Sequence, residues 1–160
     1  MLIGIVSDTH GQIDFALKAV RMLESFSVEQ VLHCGDIGSP EIPALFGRWP
    51  THFVFGNVDY DLHDLRAAIK QAKLSCHERF GHLELSGRKI ALLHSDDAKL
   101  FQSTIRSGRY DLVCYGHTHV AKQERVGKTL VLNPGALYRA NPHSIAVVDL
   151  ATMEANIVVV

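Results

Sequence analysis

Apolar strand-like runs alternate with helical repeats along the first half of the chain. Residues 2–6 form a continuous apolar run, which is typical of a strand covered on both faces. The helical spacing that follows is carried by Ile13, Ala16, Leu17, Val20 and Leu23. A second strand is predicted over 31–34, before the helix start Ser39-Pro40-Glu41 with serine as the expected N-cap. A third strand, 52–55, precedes a helix capped by Asp61, so residues 1–73 predict a parallel sheet with crossover helices.

The second half of the chain is richer in strands. Residues 79–85 and 88–94 alternate around Ser86-Gly87, which predicts an antiparallel hairpin. A helix is expected over 99–106 and a buried strand over 110–115. Further strands are predicted near 121–126, 128–132, 144–150 and 156–160. We therefore expect an α/β (α+β) fold in one domain, 1–160, with two stacked mixed β-sheets flanked by helices as a four-layer α-β-β-α sandwich.

Composition narrows the class of protein. The hydrophobic fraction of 47% and charged fraction of 21% are ordinary for a soluble globular domain. A formal net charge of −1 gives no reason to expect a nucleic-acid partner or an anionic membrane. The three cysteines lie far apart, so free thiols are expected rather than disulfides or a zinc finger. With no signal-peptide pattern and no apolar run of roughly 20 residues, the expected location is the cytoplasm.

Polar side chains follow the predicted strand ends. Taken alone, Asp36 in Gly35-Asp36-Ile37-Gly38 reads more simply as a turn aspartate bonded to its own backbone. Ligands of open α/β sheets, however, bind at the carboxyl ends of parallel strands. The side chains predicted to meet there are Asp8, His10, Asp36, Asn57, His94, His117 and His119.

This set of side chains suits divalent metal ions. Neutral imidazole and carboxylate oxygen favour Mn²⁺, Fe²⁺ or Zn²⁺, and no cysteine takes part, which argues against a closed structural zinc site. Seven ligands are too many for one ion but fit two ions if one carboxylate bridges them. Two ions about 3.5–4 Å apart are the usual arrangement for phosphoryl hydrolysis.

The motifs Asp8-x-His10, Gly35-Asp36, Gly56-Asn57-x-Asp59, His94 and Gly116-His117-Thr118-His119, in this order, resemble the calcineurin-like metallophosphoesterase superfamily, and especially its small single-domain microbial members. The family fold, a β-sandwich flanked by helices, agrees with the pattern above. The resemblance implies one ion held by Asp8, His10, Asp36 and His119. It implies a second ion held by Asp36, Asn57, His94 and His117.

The same resemblance implies a reaction. We expect a dinuclear phosphoesterase that hydrolyses a small phosphorylated substrate, a phosphodiester before a phosphomonoester, by attack of a hydroxide bridging the two ions. Asn57 and His117 are assigned catalytic roles, and Asn57 a substrate contact as well. Mn²⁺ is the first expectation for both ions, with Fe, Zn, Ni or Mg as alternatives. A homo-oligomer is left open.

Two features depart from the family pattern. Many members carry a histidine after the asparagine, thought to protonate the leaving group, where this chain has Val58. Ser95-Asp96 replaces the usual Gly-His, and Asp96 could start the next helix, touch a metal through water or bind a substrate cation. Arg139 is read as solvated or as a phosphate contact, and His33 as a packed strand residue.

Two other functions are compatible with parts of this pattern. The same fold also serves as a non-catalytic protein-interaction scaffold in membrane-coat assembly, in which the metal site has decayed. All seven ligand positions are filled here, which favours the enzyme. A dinuclear hydrolase of the β-lactamase type would need a His-x-His-x-Asp-His run, which residues 116–120 do not supply.

Overall fold

The computed structural model describes residues 1–160, which form eleven strands and four helices. The elements of the first half are β1 (Leu2–Val6), α1 (Ile13–Ser25), β2 (Gln30–His33), α2 (Ile42–Leu45), β3 (Thr51–Phe53), α3 (Leu62–Gln71) and β4 (Ser75–Cys76). Those of the second half are β5 (Phe80–Leu85), β6 (Arg88–Leu93), α4 (Ala98–Arg106), β7 (Leu112–Cys114), β8 (Lys122–Val126), β9 (Thr129–Asn133), β10 (Ser144–Asp149) and β11 (Glu154–Val159).

The strands form two mixed sheets. The six-stranded sheet has the order β11-β10-β1-β2-β3-β4, with β1 to β4 parallel and β10 and β11 antiparallel at one side. The five-stranded sheet has the order β5-β6-β7-β9-β8, with a parallel centre, β6-β7-β9, and an antiparallel strand at each edge. The carboxyl ends of β1, β2 and β3 meet at one end of the first sheet, and those of β6 and β7 meet at one end of the second.

Apolar side chains fill three layers between these elements. Alternate residues of β1, such as Ile3 and Ile5, point between the two sheets and pack with residues of the second sheet that include Leu92. On its other face, the first sheet packs against helices α1 to α3, where Phe46 is fully buried. The outer face of the second sheet packs against α4 through Ile105 and its neighbours. This arrangement confirms the predicted α-β-β-α sandwich.

Some local predictions were wrong. Ser39 is not an N-cap: α2 begins at Ile42, and the Ser39 hydroxyl instead bonds the carboxylate of Glu41. The parallel edge strand β4 was missed because two residues show no alternation. The predicted cap of α3 is confirmed, since the carboxylate of Asp61 accepts from Asp64 N at 3.1 Å. None of the helices combines the length and apolar character needed to cross a bilayer.

Candidate metal centre

The polar turns after five strands meet at the end of the sandwich. Asp8 and His10 follow β1, and their amides donate to Gly35 O and Asp36 O at 3.0 and 2.9 Å. These bonds tie the turn after β1 to the turn after β2. In the second sheet, Gly116 N donates to His94 O at 3.3 Å, which joins the turns after β6 and β7. The ends of both sheets therefore contribute to one cluster.

Two carboxylates lie at the middle of this cluster. Asp36 Oδ2 lies 3.4 Å from His10 Nε2 and 3.1 Å from His94 Nε2. Asp8 Oδ1 lies 3.2 Å from His119 Nε2, 3.8 Å from His10 Nε2 and 3.9 Å from His94 Nε2. Two sets of possible metal ligands result, Asp8 with His10 and His119, and Asp8 with Asp36 and His94. Asp8 is common to both sets, so it is a candidate bridge between two ions alongside Asp36.

Three buried polar atoms of the cluster make no hydrogen bond of acceptable geometry, although charged groups lie close to them: Asp8 Oδ1, His10 Nε2 and His94 Nε2. A buried polar group without a partner costs about 1–3 kcal/mol, so three such atoms, with both histidine nitrogens within 3.9 Å of Asp8 Oδ1, need an explanation. Carboxylate oxygen and imidazole nitrogen are also the donors that divalent transition metals prefer. The cluster therefore fits bound metal.

Neighbouring groups fix the orientation of these ligand atoms. Asp8 Oδ2 accepts from the Ser7 hydroxyl at 2.6 Å and from His117 N at 3.0 Å, which leaves Oδ1 free. His94 Nδ1 donates to Cys34 O at 2.8 Å, so His94 Nε2 keeps its lone pair. Asp36 Oδ1 accepts from Val58 N at 3.0 Å, and Asp36 Oδ2 faces the histidines. Asp8, Asp36 and His94 are thus prearranged by hydrogen bonds of their other side-chain atoms.

The backbone of the site is strained. Five of the seven predicted site residues have left-handed φ angles, which non-glycine residues rarely adopt. They are Asp8 (52°), His10 (46°), Asp36 (53°), His117 (73°) and His119 (59°). Such residues cluster at functional sites, where the surrounding structure holds them in place. Glycine is needed beside them: a Cβ at Gly116 would lie 2.6 Å from Asp8 Oδ2, and one at Gly35 would lie 2.8 Å from His94 Nδ1.

The two remaining predicted site residues are more exposed than the other five. Asn57 is exposed at the turn after β3, next to Val58, whose amide is bonded to Asp36. His117 is also exposed, and its ring lies 5.1 Å from the ring of His94. The structure therefore brings Asp8, His10, Asp36, His94 and His119 together in two overlapping groups, within each of which the ligand atoms lie no more than 4.8 Å apart. Asn57 and His117 are at the rim, where a substrate can reach them.

The carboxylates are ionised at neutral pH. Burial would raise the pKa of Asp8, but His10, His94 and the Ser7 hydroxyl lower it below its ordinary value. Burial likewise opposes ionisation of Asp36, while His94 and the Val58 amide lower the pKa of Asp36. Both side chains can therefore offer negative oxygens to a cation.

Sequence reasoning missed the residues that support the ligands. Asp59 is buried, and its carboxylate accepts from Gly38 N at 2.9 Å and Gly56 N at 2.8 Å, joining the turns after β2 and β3. Asn133 Nδ2 donates to Gly116 O at 3.0 Å, which holds the turn after β7. The Tyr138 ring lies 4.8 Å from that of His10. Asp59 lies in the Gly56-Asn57-x-Asp59 motif noted above, and Asn133 opens the turn Asn133-Pro134-Gly135, but Tyr138 carries no sequence signal.

Three residues whose roles the sequence left open, Asp96, Arg139 and His33, have defined contacts in the structure. Asp96 does not cap α4, because Asp97 does so by accepting from Leu100 N at 2.9 Å. Asp96 instead pairs with Arg79 at 3.3 Å. Arg139 is exposed and lies over the ring of Tyr138 at 5.1 Å. His33 is buried and contacts the Thr9 hydroxyl, behind the metal ligands rather than among them.

The chain matches proteins of one kind. A family model, the calcineurin-like phosphoesterase superfamily domain, matches residues 1–153. Phosphodiesterase MJ0936 of Methanocaldococcus jannaschii is 33% identical over 138 residues, covering 84% of this chain and 83% of the relative.

Solved structures show the same fold. A novel archaeal phosphodiesterase superposes with a TM-score of 0.92 at 31% identity and 100% coverage of both chains. Vps29 of Entamoeba histolytica, in a complex with zinc, has a TM-score of 0.67 at 20% identity, covering 98% of this chain and 90% of that one. At that identity, the likeness to Vps29 concerns the fold alone.

Proposed function

The chain belongs to the calcineurin-like phosphoesterase superfamily, and from this premise we propose that it is a dinuclear phosphodiesterase acting on a small phosphorylated substrate. The family and the phosphodiesterase relative make the chain a metal-dependent hydrolase of phosphoric esters. The number of ions and the preference for diesters are the parts we propose.

The observation that carries the proposal is the set of unpartnered buried atoms, Asp8 Oδ1, His10 Nε2 and His94 Nε2. Two overlapping sets of ligands share Asp8, and Asp36 Oδ2 lies between the histidines of the two sets. A single ion would leave part of this cluster without a partner. We assign His10 and His119 to one ion and His94, His117 and Asn57 to the other, with Asp8 and Asp36 between them.

Bound divalent ions would polarise the phosphoryl oxygens and lower the pKa of an attacking water toward about 7. The chain supplies the rest of the reaction environment. Its strained, glycine-flanked turns hold the ligand atoms before substrate arrives, so little reorganisation is needed. Asn57 and His117, exposed at the rim, are suited to donate hydrogen bonds to the phosphoryl oxygens.

The preference for diesters rests on what the chain lacks near Asn57. Val58, which cannot transfer a proton, occupies the position after the asparagine. The reaction therefore suits esters whose leaving group departs without protonation. A diester also brings only one negative charge to the phosphate, so it needs less compensating positive charge than a monoester does.

The test is turnover of bis(p-nitrophenyl) phosphate and p-nitrophenyl phosphate by the chelator-treated chain, with Mn²⁺, Ni²⁺ or Mg²⁺ added back. Metal content is measured on the same samples. We expect two ions per chain, hydrolysis only after metal is restored, and a higher kcat/KM for the diester. One ion at full activity would overturn the dinuclear assignment, and a higher kcat/KM for the monoester would overturn the diester preference.

The scaffold function is the second candidate, and the fold likeness to Vps29 is the observation in its favour. The same experiment separates the two. Two bound ions without hydrolysis of either substrate under any metal would favour a scaffold. Metal-dependent turnover would favour the enzyme.

A further inference from the structure

A groove of about 450 Å³ leads away from the candidate metal centre on the His117 side. Its inner end is lined by Ser95 and His117, and its walls are α4 and β8. Because His117 lies at this end, a substrate held at the centre has direct access to the groove. The proposed reaction does not otherwise use this space.

Both walls run outward from the centre. Helix α4 starts directly after the turn that carries His94, and its nine residues extend about 14 Å at 1.5 Å per residue. Strand β8 begins at Lys122, which pairs with Asn133 beside the centre, and runs outward to Val126. The groove is therefore long enough for an ester arm of more than one chemical group.

The inner part of the groove is aromatic. The rings of Phe101 and Tyr115 lie 4.6 Å apart on its floor. Phe101 is half-buried, and Tyr115 follows directly on β7, immediately before Gly116-His117. Such a surface favours a flat aromatic group, because stacking on an aromatic side chain is tolerant of the exact ring.

The outer part of the groove carries a free cation. Lys122 is paired with Glu124 at 3.0 Å, whereas Arg106, in the last turn of α4, makes no ion pair. The arginine and lysine ion pairs of the chain involve Arg48, Arg66, Arg79 and Lys122 only. An exposed guanidinium without a partner is suited to bind a phosphate in bidentate fashion.

We propose that this groove binds the retained arm of the diester substrate, and that the preferred arm is a nucleoside bearing a second phosphate. The base would stack on Phe101, and Arg106 would contact the second phosphate. This inference rests on the proposed phosphodiesterase function, since it names the substrate class of the same site.

Three diesters that release the same p-nitrophenolate test the proposal. They are methyl p-nitrophenyl phosphate, thymidine 5′-(p-nitrophenyl phosphate), and the latter with a 3′-phosphate. In each, water adds to phosphorus and the bond to the nitrophenolate oxygen breaks. We expect the 3′-phosphate to raise kcat/KM about tenfold, the effect of one charge-assisted hydrogen bond. In Arg106→Gln, the kcat/KM values of the two thymidine esters should become nearly equal. In the matched variant Arg109→Gln, which lies outside the groove, the tenfold ratio should remain.

Phe101→Leu tests the aromatic part while keeping the position apolar. It should remove most of the advantage of both thymidine esters over the methyl ester, measured as ratios of kcat/KM within the same variant. A 3′-phosphate ratio near one in wild type, or an unchanged ratio in Arg106→Gln, would overturn the proposal. Because ratios are compared within each variant, a partly folded sample does not affect the result.

A binding experiment separates this proposal from the proposed function. Calorimetry measures the Kd of thymidine 3′,5′-bisphosphate for the full chain in the presence of Mn²⁺. We expect Kd to rise about tenfold in Arg106→Gln and to stay unchanged in Arg109→Gln. If Kd changes in this way but no diester is hydrolysed, the groove proposal is upheld and the phosphodiesterase function is rejected. Hydrolysis with equal binding in all three proteins would reject the groove and uphold the phosphodiesterase.

Discussion

His94 Nε2 lies 3.1 Å from Asp36 Oδ2, although the two residues come from different sheets of the sandwich. His94 follows the last residue of β6, and Asp36 follows β2. The pair therefore connects the two halves of the chain at the one place where the ends of both sheets are polar. In a protein with bound metal, these two atoms would coordinate a cation rather than face each other.

Replacing Asp36 with alanine should remove metal and activity together. Asp36 supplies one of the two buried carboxylates, so its loss leaves the histidines without enough negative charge to hold two ions. We expect the metal content to fall below two ions per chain and kcat/KM to fall on the order of a thousandfold or more. Metal analysis and turnover of bis(p-nitrophenyl) phosphate, on the same preparation, check both quantities.

Two variants control this experiment. Asp36 has a left-handed φ of 53°, which asparagine tolerates better than alanine, so Asp36→Asn separates loss of charge from backbone strain. Asp14→Ala removes an exposed acid from α1 and should behave as wild type. Full turnover with intact metal occupancy in Asp36→Ala would refute the assigned role.

Asp59→Asn should loosen the site without removing a ligand. The carboxylate of Asp59 accepts from Gly38 N and Gly56 N, and an asparagine would turn an NH₂ group toward one of these donors. The lost bond should lower the free energy of unfolding by about 1–3 kcal/mol and the metal affinity about 10–100-fold. Denaturant titration and metal titration measure the two effects.

Asp64→Asn is the matched control, because Asp64 is exposed on α3. If Asp59 acts by positioning the turns, saturating metal should restore much of kcat in Asp59→Asn. A variant with normal metal affinity and normal kcat would show that the two hydrogen bonds are not needed for the site.

These residues show how far the sequence predicts the site. Asp36 and His94 could be predicted because polar residues that follow apolar parallel strands collect at the carboxyl ends of the sheets, whatever the details of the turns. The hydrogen bonds of Asp59 could not, because they join two turns through backbone amides that any residue would supply. The β4 edge strand was missed for a similar reason: its pairing with β3 is made by the backbone of Ser75–Cys76, without an apolar pattern.

The stability of the metal-free chain should depend on His33. Burial lowers the pKa of His33 to about 3, whereas an unfolded histidine has its ordinary value of 6.5. Between these values the unfolded chain binds the proton and the folded chain does not, so stability falls as pH falls from 6.5 toward 3. From pH 7 to pH 4, we expect His33 to account for a loss of about 3 kcal/mol.

Urea unfolding at both pH values, with chelator present throughout, measures this loss. His33→Gln cannot titrate, so its free energy of unfolding should fall by less over the same range, even if the variant is weaker at pH 7. The carboxylates of the site contribute equally to both proteins and cancel in the comparison. An identical fall in the two proteins would contradict the assignment to His33.

Val58→His should extend the range of leaving groups. Val58 is half-buried beside Asn57, and its amide bond to Asp36 Oδ1 involves only the backbone, so the replacement keeps that bond. A histidine here can donate a proton to a departing alkoxide, and such general acid catalysis contributes about 10²–10⁴-fold. For an alkyl phosphodiester, which needs this proton, we expect kcat to rise at least about tenfold. For bis(p-nitrophenyl) phosphate, whose nitrophenolate leaves unaided, kcat should change little.

Val58→Asn is the control, because asparagine is polar but cannot titrate. In Val58→His, turnover of the alkyl ester should fall above about pH 6.5, as the histidine loses its proton. Val58→Asn should show neither this fall nor the gain in kcat. Equal gains for both esters would mean that the side chain acts on substrate binding and not on the leaving group.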